Sequence, residues 1–528
     1  LEYSLTLKNK LKMKNIYKKH ILMLSVLGFL ALTSCQTLDE EPKSILTTET
    51  FLNNEEEFEG AIAAMYLPIT RPEFGWGFTF RITSYFGSDD LTTDPGLNKQ
   101  PFRDFDKLEG TADNNFARRQ WEGPFGTVYQ ANNVLEQLEG ADLSAEFAQF
   151  AEGQARFLRA LSYFYLVRTY GDLPLVTTTA IEFDNLPQRS PVSDIYDLIV
   201  SDLDLAEDLL PVSFPGEPGK ATRYAAKALY ADVLLTMGGW PLNRTDTYTL
   251  SAEKAKEVID SGMYDLMDDY AEVFTTNNNM ESIFATQYNV SGGLPQRGFG
   301  SSCVPLEERA QNNATGWQDY CTEITFFNNA PDCKRTDDTF YTTLKLRQPD
   351  GSYDLVPWDS PRTRIQHPYF KKFRSGLNGD GVSETETTIF RMGPSTDKSL
   401  DIIRYASVLL NYAEASALAA GGPTADSYNA INEVRDRAGL LPLTPGLSEA
   451  AFVDAVVYEK AYEFAGEMGS RWFDIVRLQL LPEVIAARDP AEIPLSPIAI
   501  ADPSNFYYAP IPFNEMVRNP DWDQNPGY

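Results

Sequence analysis

The sequence predicts a mostly α-helical protein: a scaffold of stacked helix pairs, with long loop-rich insertions and a few short strands. Three observations predict it. One apolar helix is written three times along the chain, each copy has an amphipathic companion, and the stretches between them turn to Gly, Pro, Asn and Asp. Hydrophobic residues make up 43% of the chain and aromatics 12%, ample for a packed core and too much for global disorder.

The first element is a signal. Ile21 to Leu32 is the one long apolar run, and the stretch KMKNIYKKH before it holds Lys12, Lys14, Lys18 and Lys19. With small residues at Thr33 and Ser34, this pattern makes residues 1–34 a secretory signal peptide, with Met13 read as the true start. A permanent membrane span needs roughly 20 apolar residues, so the run is too short for one. Ordinary cleavage sites need no cysteine, yet the sequence here is LTSC. It is similar to the bacterial lipobox, in which the Cys35 thiol takes a diacylglycerol and cleavage frees an amino group for a further acyl chain. Several chains anchor far more firmly than one, at about 0.8 kcal/mol per buried methylene. The plain alternative is a signal peptide with a chance cysteine. Asp39, Glu40 and Glu41 follow, either as an acidic signal that sends lipoproteins of Bacteroides-like bacteria to the outer face of the outer membrane or as an ordinary solvated tether.

The helices come next. RFLRALSYFYLVRTYGDLP from Arg156, RYAAKALYADVLLTMGGWP from Arg223 and RYASVLLNYAEASALAAGGP from Arg404 share an opening Arg–aromatic pair and about four apolar turns. Gly171 and Gly238 close the first two, with Pro174 and Pro241 three residues on; Gly421 and Gly422 close the third before Pro423. Glycine takes the left-handed conformation that ends a helix, and proline prevents its resumption. Helices this rich in Ala, Leu and Tyr are buried on more than one side. Amphipathic stretches precede the first two (from Asn114 and from Val192) and follow the last two (from Ser251 and from Thr424). Ser193 or Asp194 is the expected cap of one companion, and Ser251 with Glu253 of another. Such pairs resemble tetratricopeptide units, which bury their faces only by stacking; a generic bundle is the alternative.

Between the helices, residues 70–112 and 282–398 are rich in Gly, Pro, Asp, Asn and aromatics, and the second opens with the strand-like ESIFATQYN. Long irregular segments in a compact protein usually carry function. Cys303, Cys321 and Cys333 all fall in the second, and export makes one disulfide among them expected, with no pairing specified by their spacing.

Composition excludes several functions. The net charge is −30, and removing residues 1–34 takes six Lys and one Glu with it, leaving −35. That field repels nucleic acid and anionic surfaces. Once His20 leaves with the signal, His367 is the lone histidine, which removes the material for a His-rich zinc site and leaves one candidate for a Ser–His or Cys–His dyad. His367, in RIQHPYF, reads as an ordinary loop or strand residue. No catalytic motif is present. With 74 acids in residues 35–528, a carboxylate pair of a glycoside hydrolase remains an alternative.

The segments TFLNNEEEFEGAIAAMY, RFLRALSYFYLVRTYGDLPL, RYAAKALYADVLLTMGGWPL, YASVLLNYAEASAL with YNAINEVRDRAGL, VVYEKAYEFAGEMGSRWFDIVRL and IPFNEMVRNPDWDQNPGY, in this order behind a lipobox, resemble the SusD/RagB family of surface lipoproteins. The resemblance covers residues 35–528 as one SusD-like domain. It implies a helical, tetratricopeptide-containing fold and no catalysis. The implied role is capture of a glycan, or of a peptide as the alternative, above a TonB-dependent (SusC-like) outer-membrane transporter. It also implies anchorage in the outer membrane, facing outward. Arg471, Trp472, Asp474 and Arg477 in SRWFDIVRL read as charge pairs beside a buried indole, and Trp240 as packing.

Sugars offer C–H faces and a rim of hydroxyls, so a site needs flat aromatics and polar neighbours. The loops supply Trp76, Tyr85, Trp317, Tyr320 and Trp358, with Arg81, Asp89, Asp90, Gln318 and Asn313 as rim groups. Gly75, Gly77 and Gly316 favour exposure of Trp76 and Trp317. No cofactor is expected. Asp89, Asp90 and Asp94, or NGDG around Asp380, could hold Ca2+, but neither has EF-hand spacing and both read as solvated acidic turns.

Overall fold

Three glutamates open helix α1 (Glu55–Thr70), opposing negative charge to the positive end of its dipole, while Asn54 Oδ1 accepts from Glu57 N at 3.1 Å. The computed structural model describes residues 52–70, 78–180, 187–289, 291–293, 296–297, 299–309, 317–350, 352–373, 395–492, 498 and 502–528. Cys35, Trp76, Asn313 and the turn around Asp380 lie outside them.

Further along the chain come α2 (Asn115–Gln137), α3 (Ala145–Tyr170), α4 (Val192–Leu209), α5 (Arg223–Met237) and α6 (Tyr248–Asp260). After a long excursion follow α7 (Tyr405–Ala420), α8 (Ala425–Arg437), α9 (Glu449–Glu463) and α10 (Ser470–Arg477). The three similar segments are α3, α5 and α7, and they touch in that order to form one inner layer. Each companion packs beside its partner: α2 on α3, α4 on both α3 and α5, α6 on both α5 and α7, α8 on α7. This is the stacking the repeated pattern predicts. Contact on several sides explains why burial in α3 is nearly continuous from Gly153 to Tyr170, where a surface helix would show a stripe. Buried charges are paired across the layers. Arg159 of α3 grips Asp202 of α4 through two 2.7 Å hydrogen bonds and donates to Asn132 of α2 at 2.8 Å. Among the described residues no helix is long and apolar enough to cross a membrane.

Several local expectations are corrected. α4 starts at Val192 after Pro191, and Ser193 and Asp194 sit in its first turn without capping it. α6 starts at Tyr248, so Ser251 lies inside the helix, where its buried hydroxyl donates to Ala231 O at 2.7 Å. Gly171 and Gly421 do close their helices at positive φ (72° and 69°), but Gly238 stays right-handed at −68°. Glycine is needed there for space: a Cβ would meet the Tyr248 ring at 2.0 Å.

The excursion between α6 and α7 leaves through β1 (Ser282–Thr286), holds the hairpin β2 (Thr343–Arg347) and β3 (Tyr353–Pro357), and returns through β4 (Leu400–Arg404). β1 pairs antiparallel with β4, Leu400 opposite Thr286 and Arg404 opposite Ser282, so both ends are held at one base. A buried charge network ties the excursion to the C-terminal helices. Arg335 donates to Glu459 at 2.6 Å and to Glu463 at 3.0 Å, Arg404 donates to Glu463 at 2.8 Å, and Lys372 pairs with Glu467 at 2.6 Å. Cys303, Cys321 and Cys333 form no disulfide, against the one expected from export; Cys321 Sγ instead donates to Thr92 O at 3.6 Å.

Candidate functional site

The two loop segments meet. Thr92 and Cys321 form an antiparallel bridge, Thr92 N donating to Cys321 O at 2.9 Å and Cys321 N to Thr92 O at 3.0 Å. Beside it Lys99 pairs with Asp319, whose other oxygen accepts from Ser302 Oγ at 2.6 Å.

Asp94 organises the outer edge of this seam. Its buried carboxylate accepts from Gly96 N at 2.5 Å, from the Gln318 side-chain amide, and from Arg364 Nε at 2.6 Å. The other end of the Gln318 amide accepts from Leu306 N at 2.8 Å. Held at both ends, Gln318 keeps a left-handed backbone (φ 51°), a conformation that costs a non-glycine residue about 1 kcal/mol or more and persists only when its surroundings enforce it. Trp317, the residue before this locked turn, is half-buried. Arg364 keeps 51% of its side chain exposed while bound to Asp94. A half-buried indole next to this turn and a half-exposed guanidinium bound to the carboxylate that locks it could stack on one face of a ligand and donate to its edge.

Trp358 is also half-buried. It meets Phe327 edge-to-face at 5.7 Å and leans on a cluster of Cys321, Leu344, Leu346, Val356, Ile365 and Tyr369. The remaining predicted residues divide differently. Tyr85 and Tyr320 are core, not platform: Tyr85 bonds Thr169 Oγ1 at 2.9 Å and meets Phe473 edge-on, while Tyr320 is enclosed by Phe86, Phe370 and Phe373. Gln318 is buried inside the turn it supports. Asp90 is buried too, accepting from Ser88 Oγ and from Gly466 N at 2.7 Å, and burial pushes its carboxyl up to about 6 against those hydrogen bonds. Asp89 is held by Arg471 through two 2.7 Å bonds, which leaves no free rim carboxylate there. Because Asp89, Asp90 and Asp94 face three different sets of partners, they do not converge on a shared Ca2+. Arg81 lies in the 3-10 helix Phe78–Tyr85, and its side chain is outside the described residues.

His367 is structural. Its buried Nε2 meets Glu492 Oε2 at 2.9 Å, and Glu492 Oε1 accepts from Ile324 N at 2.9 Å. Trp472 is buried between ion pairs, Arg471 with Asp89 and Arg477 with Asp474, as its segment predicts. Sequence reasoning missed Arg364. The available signal was the pair Arg362 and Arg364 in an otherwise acidic chain.

Residues 306–528 match the SusD family, and residues 89–235 match a family described as "Starch-binding associating with outer membrane". The chain is SusD-like over most of its length. It is 27% identical to the SusD-like protein P2 of Formosa agariphila, over 97% of this chain and all of that one. It is 26% identical to the starch-binding protein SusD of Bacteroides thetaiotaomicron, over 76% of each. Among solved structures, a SusD homologue from Bacteroides thetaiotaomicron superposes with a TM-score of 0.77 at 22% identity, covering 91% of this chain and 98% of that one. The surface glycan-binding protein A of the same organism, in complex with laminarihexaose, superposes with a TM-score of 0.70 at 21% identity, covering 90% and 100%. The fold is therefore SusD-like, and the family is one of non-catalytic glycan-binding proteins associated with the outer membrane.

Proposed function

We propose that this protein captures an oligosaccharide at the cell surface, on the face where residues 92–99, 317–321 and 358–364 meet, and passes it to a TonB-dependent outer-membrane transporter. Trp317 carries the reading: a half-buried indole on a left-handed turn, locked by Gln318 and Asp94, with the Arg364 guanidinium beside that lock. A rigid ring loses little entropy when a sugar face stacks on it, and the guanidinium donates to ring hydroxyls at the edge. Trp358, just after the hairpin β2–β3, is the second ring proposed to stack on the sugar. Starch binding by a relative alignable along three quarters of the chain supports a glycan over a peptide. The anchor proposed for this role is a lipid on Cys35, holding the protein on the outward face of the outer membrane.

Binding isotherms against a panel of soluble oligosaccharides and peptides test the reading. A glycan is expected to bind, with W317A weakening it at least tenfold, about 1.4 kcal/mol, and W358A weakening it less. Binding of peptides alone, or glycan binding unchanged in W317A, would overturn it. Absence of palmitate label on the expressed protein would overturn the anchor.

A further inference from the structure

A second polar cavity, of about 110 Å3, lies where α3, α5 and α7 of the inner layer meet β4, α10 and the turn after α9. It shares no lining residue with the face described above. Among its lining side chains are four cations, Arg168, Arg404, Lys460 and Arg477, and four anions, Asp232, Asp401, Glu467 and Asp474. Most are committed. Arg404 binds Glu467 through two 2.9 Å bonds, Lys460 binds Glu414 at 2.6 Å, and Arg477 binds both Glu414 and Asp474.

Arg168 and Asp232 are the exception. The Arg168 guanidinium is clamped between the Phe164 and Phe473 rings, 3.5 and 3.7 Å from their centroids, and its side chain is only 10% exposed. Its Nε donates to Phe164 O at 3.1 Å, but among the described residues neither Nη makes a hydrogen bond. Asp232 Oδ2 stands 3.9 Å from Nη1, beyond hydrogen-bond range, and Oδ1 receives only a long 3.4 Å bond from Asn411. The two opposite charges thus face one cavity as a long ion pair with no hydrogen bond between them. The Nη donors and the Asp232 carboxylate therefore keep hydrogen-bonding capacity toward the cavity, and a charged guest there would gain charge-assisted bonds.

The geometry points to a binding site for a small zwitterion, an α-amino acid, with its carboxylate on the Arg168 fork and its ammonium on Asp232. A simple anion meets four carboxylates in the lining and a simple cation meets four basic groups, so each alone is disfavoured. In an α-amino acid the two charges sit on adjacent carbons, which suits a cation and an anion about 4 Å apart. A γ-amino acid spaces them too widely. A neutral sugar meets lining rings that cations already cover, Phe473 and Tyr165 by Arg168 and Phe464 by Arg404.

Calorimetry on the folded protein with L-alanine, propionate, ethylamine, γ-aminobutyrate and glucose tests this. L-Alanine is expected to bind, and the other four at least tenfold more weakly. R168M, which keeps the apolar packing between the rings, and D232N, at a 40% exposed carboxylate, should each cost alanine affinity tenfold or more without altering glycan binding. Equal binding of propionate would make this a plain anion site, and preferential binding of glucose a second sugar site; either overturns the assignment. Alanine binding unchanged in both variants overturns it, as does no binding of any probe.

Discussion

Asp94 and Arg364, 270 positions apart in sequence, form an ion pair in which the carboxylate is buried and the guanidinium is half in solvent, Nε donating at 2.6 Å. The carboxylate therefore belongs to the architecture and the guanidinium to the surface. The two partners should fail differently when changed.

D94N removes the charge and one of the two acceptor oxygens that hold Gly96 N, Gln318 and Arg364 together. Glycan affinity should fall about tenfold and the thermal midpoint should drop, with a shift in Trp317 fluorescence as its turn relaxes. R364A breaks only a half-exposed contact and should cost under about 1 kcal/mol of stability while still weakening glycan binding. Paired calorimetry and thermal melts separate the two outcomes.

Asp90 is buried with its carboxyl pushed up to about 6. A folded value above the unfolded one means that stability present at low pH is lost as pH rises from about 4 through 6. D90N keeps the acceptor for Gly466 N and can donate to Ser88 Oγ. The variant should match the wild type near pH 4 and exceed it by about 1–3 kcal/mol above pH 6.5. Denaturant melts across this range check the crossover.

Glu414 behaves in the opposite sense. Burial pushes its carboxyl up, but Arg477 and Lys460 outweigh burial and draw it down to about 2. Its stabilising contribution is present above the ordinary carboxylate range and is lost as pH falls through about 2. E414Q leaves Arg477 and Lys460 buried without their shared partner and should cost about 3–5 kcal/mol at pH 7. The deficit should narrow in acid melts.

Two helix-ending glycines should respond unequally. G421A asks only for a left-handed alanine with nothing close to its Cβ, at about 1 kcal/mol. G238A drives a methyl into the Tyr248 ring and breaks the packing that lets Tyr248 OH donate to Gly238 O at 2.8 Å. It should be the more damaging by at least 2 kcal/mol, read from denaturant midpoints.

The inner layer was legible because it is local: four apolar turns, an Arg–aromatic opening and a Gly–Pro stop describe α3, α5 and α7 without any knowledge of their neighbours. Caps were less legible. Ser251 satisfies the rule for a helix start, yet its hydroxyl is taken by Ala231 one layer away. The loop aromatics were hardest. Tyr320 follows polar residues that read as a surface turn, and it is buried because Thr92 bridges to Cys321 across 229 positions. No period or spacing encodes such a pairing. Trp317 and Tyr320 differ by three residues and have opposite fates, decided by contacts made only in the fold.

Glu463 accepts from Arg335 and Arg404 of the excursion and also from Arg437 of the helical layers. One carboxylate thus serves both halves of the architecture, and neither half can release it without stranding guanidiniums of the other. The excursion that carries the proposed binding face is consequently not a detachable appendage. It should lose structure in the same cooperative transition as the stack that carries it, giving a rigid capture surface whose stiffness is borrowed from the protein's interior.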